Sequence, residues 1–293
     1  MDNENTESET ETKNWKAKMR YSLNRGKIDN AMEIVNEALK EDFDAVTDFL
    51  NQMGCVTGEK DFSKGVEIFN KLIEVDPENK SVYFNRGNLY LENGKLDEAV
   101  SDYTKALELN DNSDTYLNRG LAYLDKGDLK EAINDFDAAL KTETEGLKAS
   151  RAYHYRGLAY LDTGDSENAI NNFNKSIELN PEFSKAYIYR ALAYLDMGET
   201  DKSIKDLKKS IELDGNDWEA HSYLGLAYLN NGDIDSAMEE YDKAIELNPA
   251  DPQSYYYRGL AYYHLGNTKS ASDDYNNAVK FDPLLGKHPY DSL

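Results

Sequence analysis

The chain has 293 residues, of which 11% are aromatic, so it carries too many packing side chains to be disordered throughout. Its 56 acidic side chains outnumber the 33 Lys and Arg and give a formal net charge of −23, which disfavours binding to nucleic acid or to anionic membranes. There is no apolar run of about 20 residues and no secretory leader, and Cys55 is the single cysteine, so the sequence predicts a cytoplasmic protein without disulfides.

The chain begins with a short acidic segment. Residues 1–11 contain five carboxylates among Asn, Thr and Ser, and no apolar residue follows Met1. Such a segment buries too little apolar surface to offset the entropy lost on ordering. We therefore predict a disordered acidic tail over residues 1–11.

From residue 12 onward the sequence is periodic. The string Gly157-Leu-Ala-Tyr-Leu-Asp-Thr-Gly-Asp165 returns, with small changes, at Ala191, Gly225 and Gly259, each 34 residues after the previous copy. The units begin at residues 12, 46, 80, 113, 150, 184, 218 and 252. This spacing predicts two divergent units over residues 12–79, six regular units over 80–285 and a tail over 286–293.

Each unit reads as two helices when its positions are numbered 1 to 34. Apolar or small residues at positions 4, 7, 8 and 11 form one helical stripe, and a glycine at position 15 ends the first helix. Asp128, Asp165 and Asp233 are expected to cap the second helix, which carries a small residue at positions 20 and 27 and an aromatic residue at 24. Three extra residues within 142–149 are expected to lie between two helices.

This pattern resembles the tetratricopeptide repeat over residues 12–285. The resemblance implies an all-α, right-handed superhelix of helix-turn-helix units that binds proteins or peptides on its concave face. The first two units depart from the pattern, since Met19 and Met53 stand at position 8 and Lys60 at position 15, where Gly is usual.

The resemblance also implies which residues face a ligand. Positions 2, 6, 9 and 13 lie on the side of the first helix opposite the packing stripe. They predict a tyrosine ladder on a leucine floor with an acidic edge, and hence a partner with basic and apolar residues. The candidate groove residues are Asn85, Asn88, Asn118, Asp125, Tyr155, Leu158, Asp162, Tyr189, Leu192, Asp196, Tyr223, Leu226 and Tyr257. The alternative is that these rings only cover neighbouring helices.

A second recurring feature is the arginine at position 7. Arg86, Arg119, Arg156, Arg190 and Arg258 follow the edge of the packing stripe. Position 23 of the second helix offers an aspartate in most units, so we predict an ion pair within the repeat.

A co-chaperone-like adaptor is the main alternative function. Co-chaperones of this family grip a C-terminal carboxylate with Lys and Asn, then Asn, then Lys and Arg. Asn88, Asn118 and Arg151 match this set, but Phe84 and Tyr155 replace two of its three cations. The sequence therefore argues against a working carboxylate clamp.

No catalytic, metal or cofactor site is predicted. The four histidines are scattered, Cys55 stands at a position where other units have Ala, and no glycine-rich phosphate loop is present. The sequence favours a scaffold without cofactors or enzyme activity. A non-catalytic subunit of an enzyme or secretion complex and a binder of a sugar chain are the remaining alternatives.

The C-terminal end leaves one question open. The residues after Pro283 are too few and too Pro-broken for an extra capping helix. The last repeat is thus expected either to self-associate through an uncovered apolar face or to be covered by its own tail.

Overall fold

The protein was analysed as a computed structural model that describes residues 15–285, except residues 24, 26 and 39–42. These residues form sixteen α-helices and one 3-10 turn, and no strand occurs among them. The chain divides into two compact units, Met1–Thr142 and Glu143–Leu293, called unit 1 and unit 2 below. The predicted tails at 1–11 and 286–293 lie outside the described residues.

Unit 1 contains eight helices that pack as consecutive antiparallel pairs. Their bounds are α1 15–23, α2 Ile28–Ala38, α3 Phe43–Gly58, α4 Phe62–Val75, α5 Lys80–Glu92, α6 Leu96–Leu109, α7 Ser113–Lys126 and α8 Leu129–Thr142.

Unit 2 repeats the same arrangement with eight further helices and a final turn. Their bounds are α9 Gly146–Asp162, α10 Ser166–Leu179, α11 Ser184–Asp196, α12 Thr200–Leu213, α13 Trp218–Asn230, α14 Ile234–Leu247, α15 Pro252–His264 and α16 Thr268–Phe281, followed by a 3-10 turn over Pro283–Leu285. The all-α fold of tandem helix pairs predicted from the repeats is confirmed.

The junction inside each regular pair is set by glycine and a capping side chain. Gly127 has φ +80°, and the amide of Asp128 beyond it donates to the carbonyl of Tyr123 at 2.9 Å, which closes the end of α7. The carboxylates of Asp165 and Asp233 each accept a hydrogen bond from a backbone amide in the first turn of the helix that follows. The predicted glycine stops and these two caps are confirmed.

The core of each pair joins a small residue on one helix to a large one on the other. A Cβ added to Gly157 would lie 2.7 Å from Cε1 of Phe173, so only glycine leaves room for that ring. Three further pairs are built alike: Gly87 with Tyr103, Gly120 with Phe136, and Gly225 with Tyr241. In α11–α12 the glycine is replaced by Ala191 and the aromatic ring by Leu207, and the two residues share one buried cluster. The last pair, α15–α16, differs, because an added Cβ on Gly259 would first meet the carbonyl oxygen of Ala271 at 3.3 Å and not the ring of Tyr275.

The pair α3–α4 corrects the predicted repeat register. Position 8 was expected to be Met53, a departure from glycine, but Gly54 is the residue that approaches Phe69, where an added Cβ would lie 2.6 Å from the ring. Met53 is itself buried in the core of unit 1. Close approach of these helices also uses Gly58 and Gly65, whose backbones meet. A small residue on one helix therefore meets a large one on the other here too, but the small residue stands one position later than in the regular repeats.

The three extra residues of the fifth repeat were also placed wrongly. They were expected between two helices, but α9 begins at Gly146, so only residues 143–145 separate it from α8. The insertion instead lengthens α9 to 17 residues, against 13 or 14 in the other regular repeats. Ala149 is buried in this added turn, which gives it a packing reason to be helical.

Candidate functional site

In unit 2 the predicted groove residues come from one face of α9, α11, α13 and α15. The tyrosines and leucines on this face are half-buried, and Asp162 and Asp196 are exposed. These residues therefore keep part of their side-chain surface exposed to solvent. The structure places these residues as follows: Tyr155, Leu158 and Asp162 on α9, Tyr189, Leu192 and Asp196 on α11, Tyr223 and Leu226 on α13, and Tyr257 on α15.

Three of the tyrosines are brought close together. Burial raises the pKa of Tyr223 to about 12, and Glu219 and the neighbouring Tyr189 and Tyr257 contribute to the rise. Tyr189 and Tyr257 therefore lie near enough to Tyr223 to influence the charge state of its phenol. We call this set of Tyr189, Tyr223 and Tyr257 the tyrosine row.

The tyrosine row packs on the core through its rings and leaves its hydroxyls available. Tyr189 stacks on Phe173 with centroids 6.4 Å apart, and Tyr257 stacks on Tyr241 at 6.2 Å. No hydrogen bond joins the three hydroxyls to another described residue. The rings therefore do cover neighbouring helices, as the alternative interpretation required, while each hydroxyl can still donate to a ligand.

Acidic groups lie beside this row. Burial raises the pKa of Tyr189; Glu219, Asp217 and, least of all, Asp162 add to the rise, while the cation of Lys185 opposes it. Burial also raises the pKa of Asp162, because part of its hydration is lost without a cation to replace it. Asp196 accepts a hydrogen bond from the hydroxyl of Ser166 at 3.4 Å.

The sequence analysis missed one cation on the same face. Lys185 of α11 bridges α11 to α13, since its ammonium lies 3.0 Å from Asp217 and also contacts Glu219. This bridge neutralises the cation and fixes the two helices beside Tyr189. Lys185 and Glu219 both stand at position 2 of their units, which lies on the predicted inner face. Their opposite charges at this position were the feature of the sequence from which the bridge could have been predicted.

His154 is a second residue that the sequence left without a role. It is 3% exposed and lies among Tyr155, Phe173, Phe183 and Tyr189, with its ring centroid 4.7 Å from that of Phe183. Burial lowers its pKa to about 4, and its Nδ1 has no hydrogen-bond partner. The ring is therefore neutral at pH 7 and serves as a packing group beneath the tyrosine row.

In unit 1 the predicted groove residues behave differently. Asn118 donates to Asn88 at 2.8 Å, the hydroxyl of Tyr103 donates to the same oxygen at 2.8 Å, and Asn85 donates to Asn51 at 3.0 Å. These asparagines therefore join consecutive repeats, while Asp125 is exposed. A ligand would have to displace bonds that the fold already makes.

The carboxylate clamp is incomplete in the structure as it is in the sequence. Phe84, at the position of the first lysine, packs against Tyr103 with centroids 6.1 Å apart. The guanidinium of Arg151, in unit 2, lies 6.0 Å from the ring of Tyr155. An apolar ring and a phenol thus stand where two cations would be needed.

The predicted ion pairs of the arginine stripe are confirmed. Bidentate pairs join Arg86 to Asp102, Arg119 to Asp135, Arg190 to Asp206 and Arg258 to Asp274, with N–O distances of 2.6–2.8 Å. In the fifth repeat Arg156 donates instead to the side-chain oxygen of Asn172 at 2.8 Å. Each guanidinium also lies over a tyrosine three residues earlier. The stripe therefore holds the repeats together and is not a basic binding surface.

Catalytic and metal chemistry find little support in the described part of the chain. Cys55 is half-buried against the core of unit 1, and burial raises the pKa of its thiol, which opposes formation of a reactive thiolate. No cluster of three or more His, Cys, Asp or Glu side chains suited to a metal occurs among the described residues. Within the same residues, no helix combines the length and apolarity needed to cross a membrane.

Family models described as tetratricopeptide repeats match the sequence throughout the regular repeats. The matched segments are residues 81–113, 111–182, 172–205, 191–232, 229–266 and 252–285, which overlap to cover 81–285. The chain belongs to the tetratricopeptide-repeat family. Proteins of this family mediate protein–protein interactions and are generally non-catalytic.

Individual relatives resemble only part of this chain. A stretch of 71 residues is 35% identical to a protein named STIP1 homolog from Dictyostelium discoideum, and it covers 24% of this chain and 13% of that protein. The chain thus spans a small fraction of that relative's length.

Two solved structures show the same fold. A tetratricopeptide repeat protein from Parabacteroides merdae superposes with a TM-score of 0.68 at 23% identity, covering 80% of this chain and 93% of that one. YrrB, described as a TPR protein with an unusual peptide-binding site, superposes with a TM-score of 0.51 at 26% identity, covering 64% of this chain and 95% of that one.

Proposed function

We propose that the protein is a non-catalytic scaffold that binds a peptide segment of a partner protein on the inner face of unit 2. The observation that carries the proposal is the tyrosine row, in which three half-buried phenols on consecutive helices present hydroxyls without hydrogen bonds to described residues. Tyrosine offers a large contact area and a polar tip while few rotamers are frozen on binding. The peptide-binding site named for YrrB supports a peptide as the ligand.

The charges beside the row define the chemistry of the partner. Asp162 and Asp196 are acidic groups without a cation partner among the described residues, whereas Lys185 is already neutralised by two carboxylates. A ligand that follows the row therefore meets negative charge. We infer that it combines Lys or Arg with aromatic or aliphatic residues.

The co-chaperone-like alternative has one observation in its favour, the 35% identity to the STIP1 homolog. Phe84 and Tyr155 weigh against it, because a carboxylate would lose two of its three cations there. This alternative is tested by an acidic peptide with a free C-terminal carboxylate and by its C-terminal amide. A clamp would bind the free acid much more tightly than the amide.

The proposal is tested by selection from a random peptide-display library on the full chain and on the double variant Tyr189→Ala with Tyr223→Ala. Peptides that the unmodified chain enriches and the variant does not should carry Lys or Arg together with apolar residues. The proposal fails if no peptide is enriched by the unmodified chain alone, or if the peptides enriched in this way are acidic. Circular dichroism of the variant must show an unchanged helix content for the comparison to count.

A further inference from the structure

Helix α12 carries an unusual charge for this chain. It contains Lys202, Lys205, Lys208 and Lys209 against three carboxylates, whereas the equivalent helix α14 has one lysine and five carboxylates. Positions 22 and 25 of the repeat are Lys205 and Lys208 in α12, but they are uncharged or acidic in the equivalent helices of the regular repeats. In a protein with a net charge of −23, this is a local concentration of positive charge.

These lysines line a cleft of about 680 Å³ between α11 and α12. Tyr187, Arg190 and Tyr194 form its wall on α11, spaced three and four residues apart and thus on one side of that helix. The tyrosine row lies on the opposite side, since Tyr189 follows the inner-face positions. The basic cleft, as we call it, is therefore separate from the surface proposed above.

The arginine stripe is interrupted at this cleft. In four repeats the guanidinium at position 7 also donates to position 25 of the preceding repeat, where an oxygen accepts it; the pairs are Arg86 with Asn70, Arg119 with Thr104, Arg190 with Asn174, and Arg258 with Asp242. After α12 the acceptor is replaced by Lys208 and the arginine by Leu224. The exchange avoids a clash of two cations and leaves Lys208 directed to the hydroxyl and ring of Tyr228.

The lysines of the basic cleft are only weakly neutralised. Lys205 and Lys208 make no ion pair with a described residue, and Lys209 pairs with Glu212 at 2.9 Å across an exposed surface. The exposed ammonium of Lys202 pairs with the half-buried carboxylate of Glu199. Exposed pairs three residues apart are weak, so incoming carboxylates can compete for these ammonium groups.

We propose that the basic cleft binds an acidic, partly apolar peptide segment of a partner protein. The lysines extend over residues 202–209, or about 10 Å along the helix, which is the reach of three or four extended residues. Several carboxylates in a row match that length, and the rings of Tyr187 and Tyr194 supply an apolar wall. A long phosphate backbone fits less well, because it would be repelled by the acidic remainder of the protein.

The test uses fluorescence anisotropy with the full chain and a labelled, C-terminally amidated peptide of four Glu-Glu-Leu repeats. The double variant Lys205→Glu with Lys208→Glu should raise the Kd at least about tenfold. The matched control, Lys105→Glu with Lys130→Glu on α6 and α8 of unit 1, makes the same change in net charge and should alter the Kd less than about twofold. A peptide of Gln-Gln-Leu repeats should not bind, and added salt should weaken binding of the acidic peptide.

Three outcomes would overturn the proposal. They are equal weakening in both double variants, absence of binding by the acidic peptide, and tighter binding of a single-stranded oligonucleotide of similar charge. Lys205→Gln with Lys208→Gln repeats the test with a milder change should the charge reversal lower the helix content. Tyr189→Ala with Tyr223→Ala should leave this binding unchanged, which separates failure here from failure of the inner-face proposal.

Discussion

Single glycines decide how closely the two helices of a repeat can approach. Gly157 leaves the space that Phe173 fills, and the next repeat solves the same problem with Ala191 and Leu207. The sequence predicted the alternation of small and large residues but not which of them touch. The partners follow from the structure, where the small and the large residue stand 16 residues apart in five of the six regular pairs.

We expect Gly157→Ala to destabilise the protein by about 1–3 kcal/mol, because the new methyl group overlaps the ring of Phe173. Adding Phe173→Leu should recover part of this loss, since it recreates the combination of Ala191 and Leu207. The measurement is the free energy of unfolding in urea for both single variants and the double variant. Additive losses would show that the two side chains do not share one space.

His154 links stability to pH. Its pKa is about 4 in the folded protein and about 6.5 in an unfolded chain, so the unfolded state takes up a proton that the folded state excludes. Stability should therefore fall as the pH drops from 6.5 to 4. The variant His154→Phe places at this position the residue type that Phe84 has at the same position of its repeat. The variant should lose about 2–3 kcal/mol less stability than the unmodified protein when the pH is lowered to 4.5.

His221 provides a control of opposite sign. Its hydrogen bond to Glu240 at 2.7 Å raises its pKa, so its contribution is present at low pH and disappears as the pH rises through the raised value. His221→Gln should therefore cost more stability at pH 5 than at pH 8. The free energy of unfolding in urea, measured from pH 4 to 8, tests both variants. If the pH dependence of stability in His154→Phe equals that of the unmodified protein, the burial argument is wrong.

Pairs of helices are held together by the arginine stripe as well as by their cores. The spacing of Arg at position 7 and Asp at position 23 was sufficient to predict these pairs, because both positions border the packing stripe of a regular repeat. Reasoning from repeat positions failed for the glycine contact of α3–α4. There Gly54 and Gly58 replace the usual glycine, and the contact is shifted by one residue. Periodicity predicts the average repeat, and it cannot show where a divergent repeat changes register.

Removing one partner of a buried ion pair should be costly. Asp135 is hydrogen-bonded to Arg119 by two bonds and raises the pKa of that guanidinium. Asp135→Ala leaves the guanidinium without its carboxylate and should cost about 3 kcal/mol in the free energy of unfolding. Asp135→Asn should cost less, because an asparagine at the same repeat position, Asn172, accepts a hydrogen bond from Arg156.

The exposed pair of Lys105 and Glu108 is the matched control for this prediction. Lys105→Ala should change the free energy of unfolding far less than Asp135→Ala does, because both side chains of the exposed pair are solvated. A similar cost for Lys105→Ala and Asp135→Ala would mean that burial does not set the strength of these pairs.

At the scale of the whole molecule the chain divides into two compact units, and within each unit the repeats contact mainly their neighbours. The spacing predicted the repeats, whereas the family resemblance led to the prediction that the tyrosines lie on the inner face. It did not predict the neutralised Lys185 or the hydrogen-bonded asparagines of unit 1, because those roles depend on contacts between repeats. The identity of the ligand depends on a second molecule and stays a proposal.

The acidic groups on the inner face should act mainly on association. Asp162→Asn with Asp196→Asn should slow the association of a basic peptide several-fold at low salt and reduce its dependence on salt, with little change in dissociation. Surface plasmon resonance at two ionic strengths measures both rates. The steering argument is wrong if only the dissociation rate changes.

The most direct measurement is the Kd of a basic, apolar peptide obtained by display, determined by isothermal titration calorimetry. Tyr189→Ala with Tyr223→Ala should weaken binding by at least about 2 kcal/mol, or about 30-fold. The control, Tyr116→Ala with Tyr153→Ala, removes two tyrosines that lie under guanidinium groups away from the inner face, and it should leave the Kd within about threefold. Equal affinity of the unmodified protein and the Tyr189 and Tyr223 variant would show that the ligand binds elsewhere.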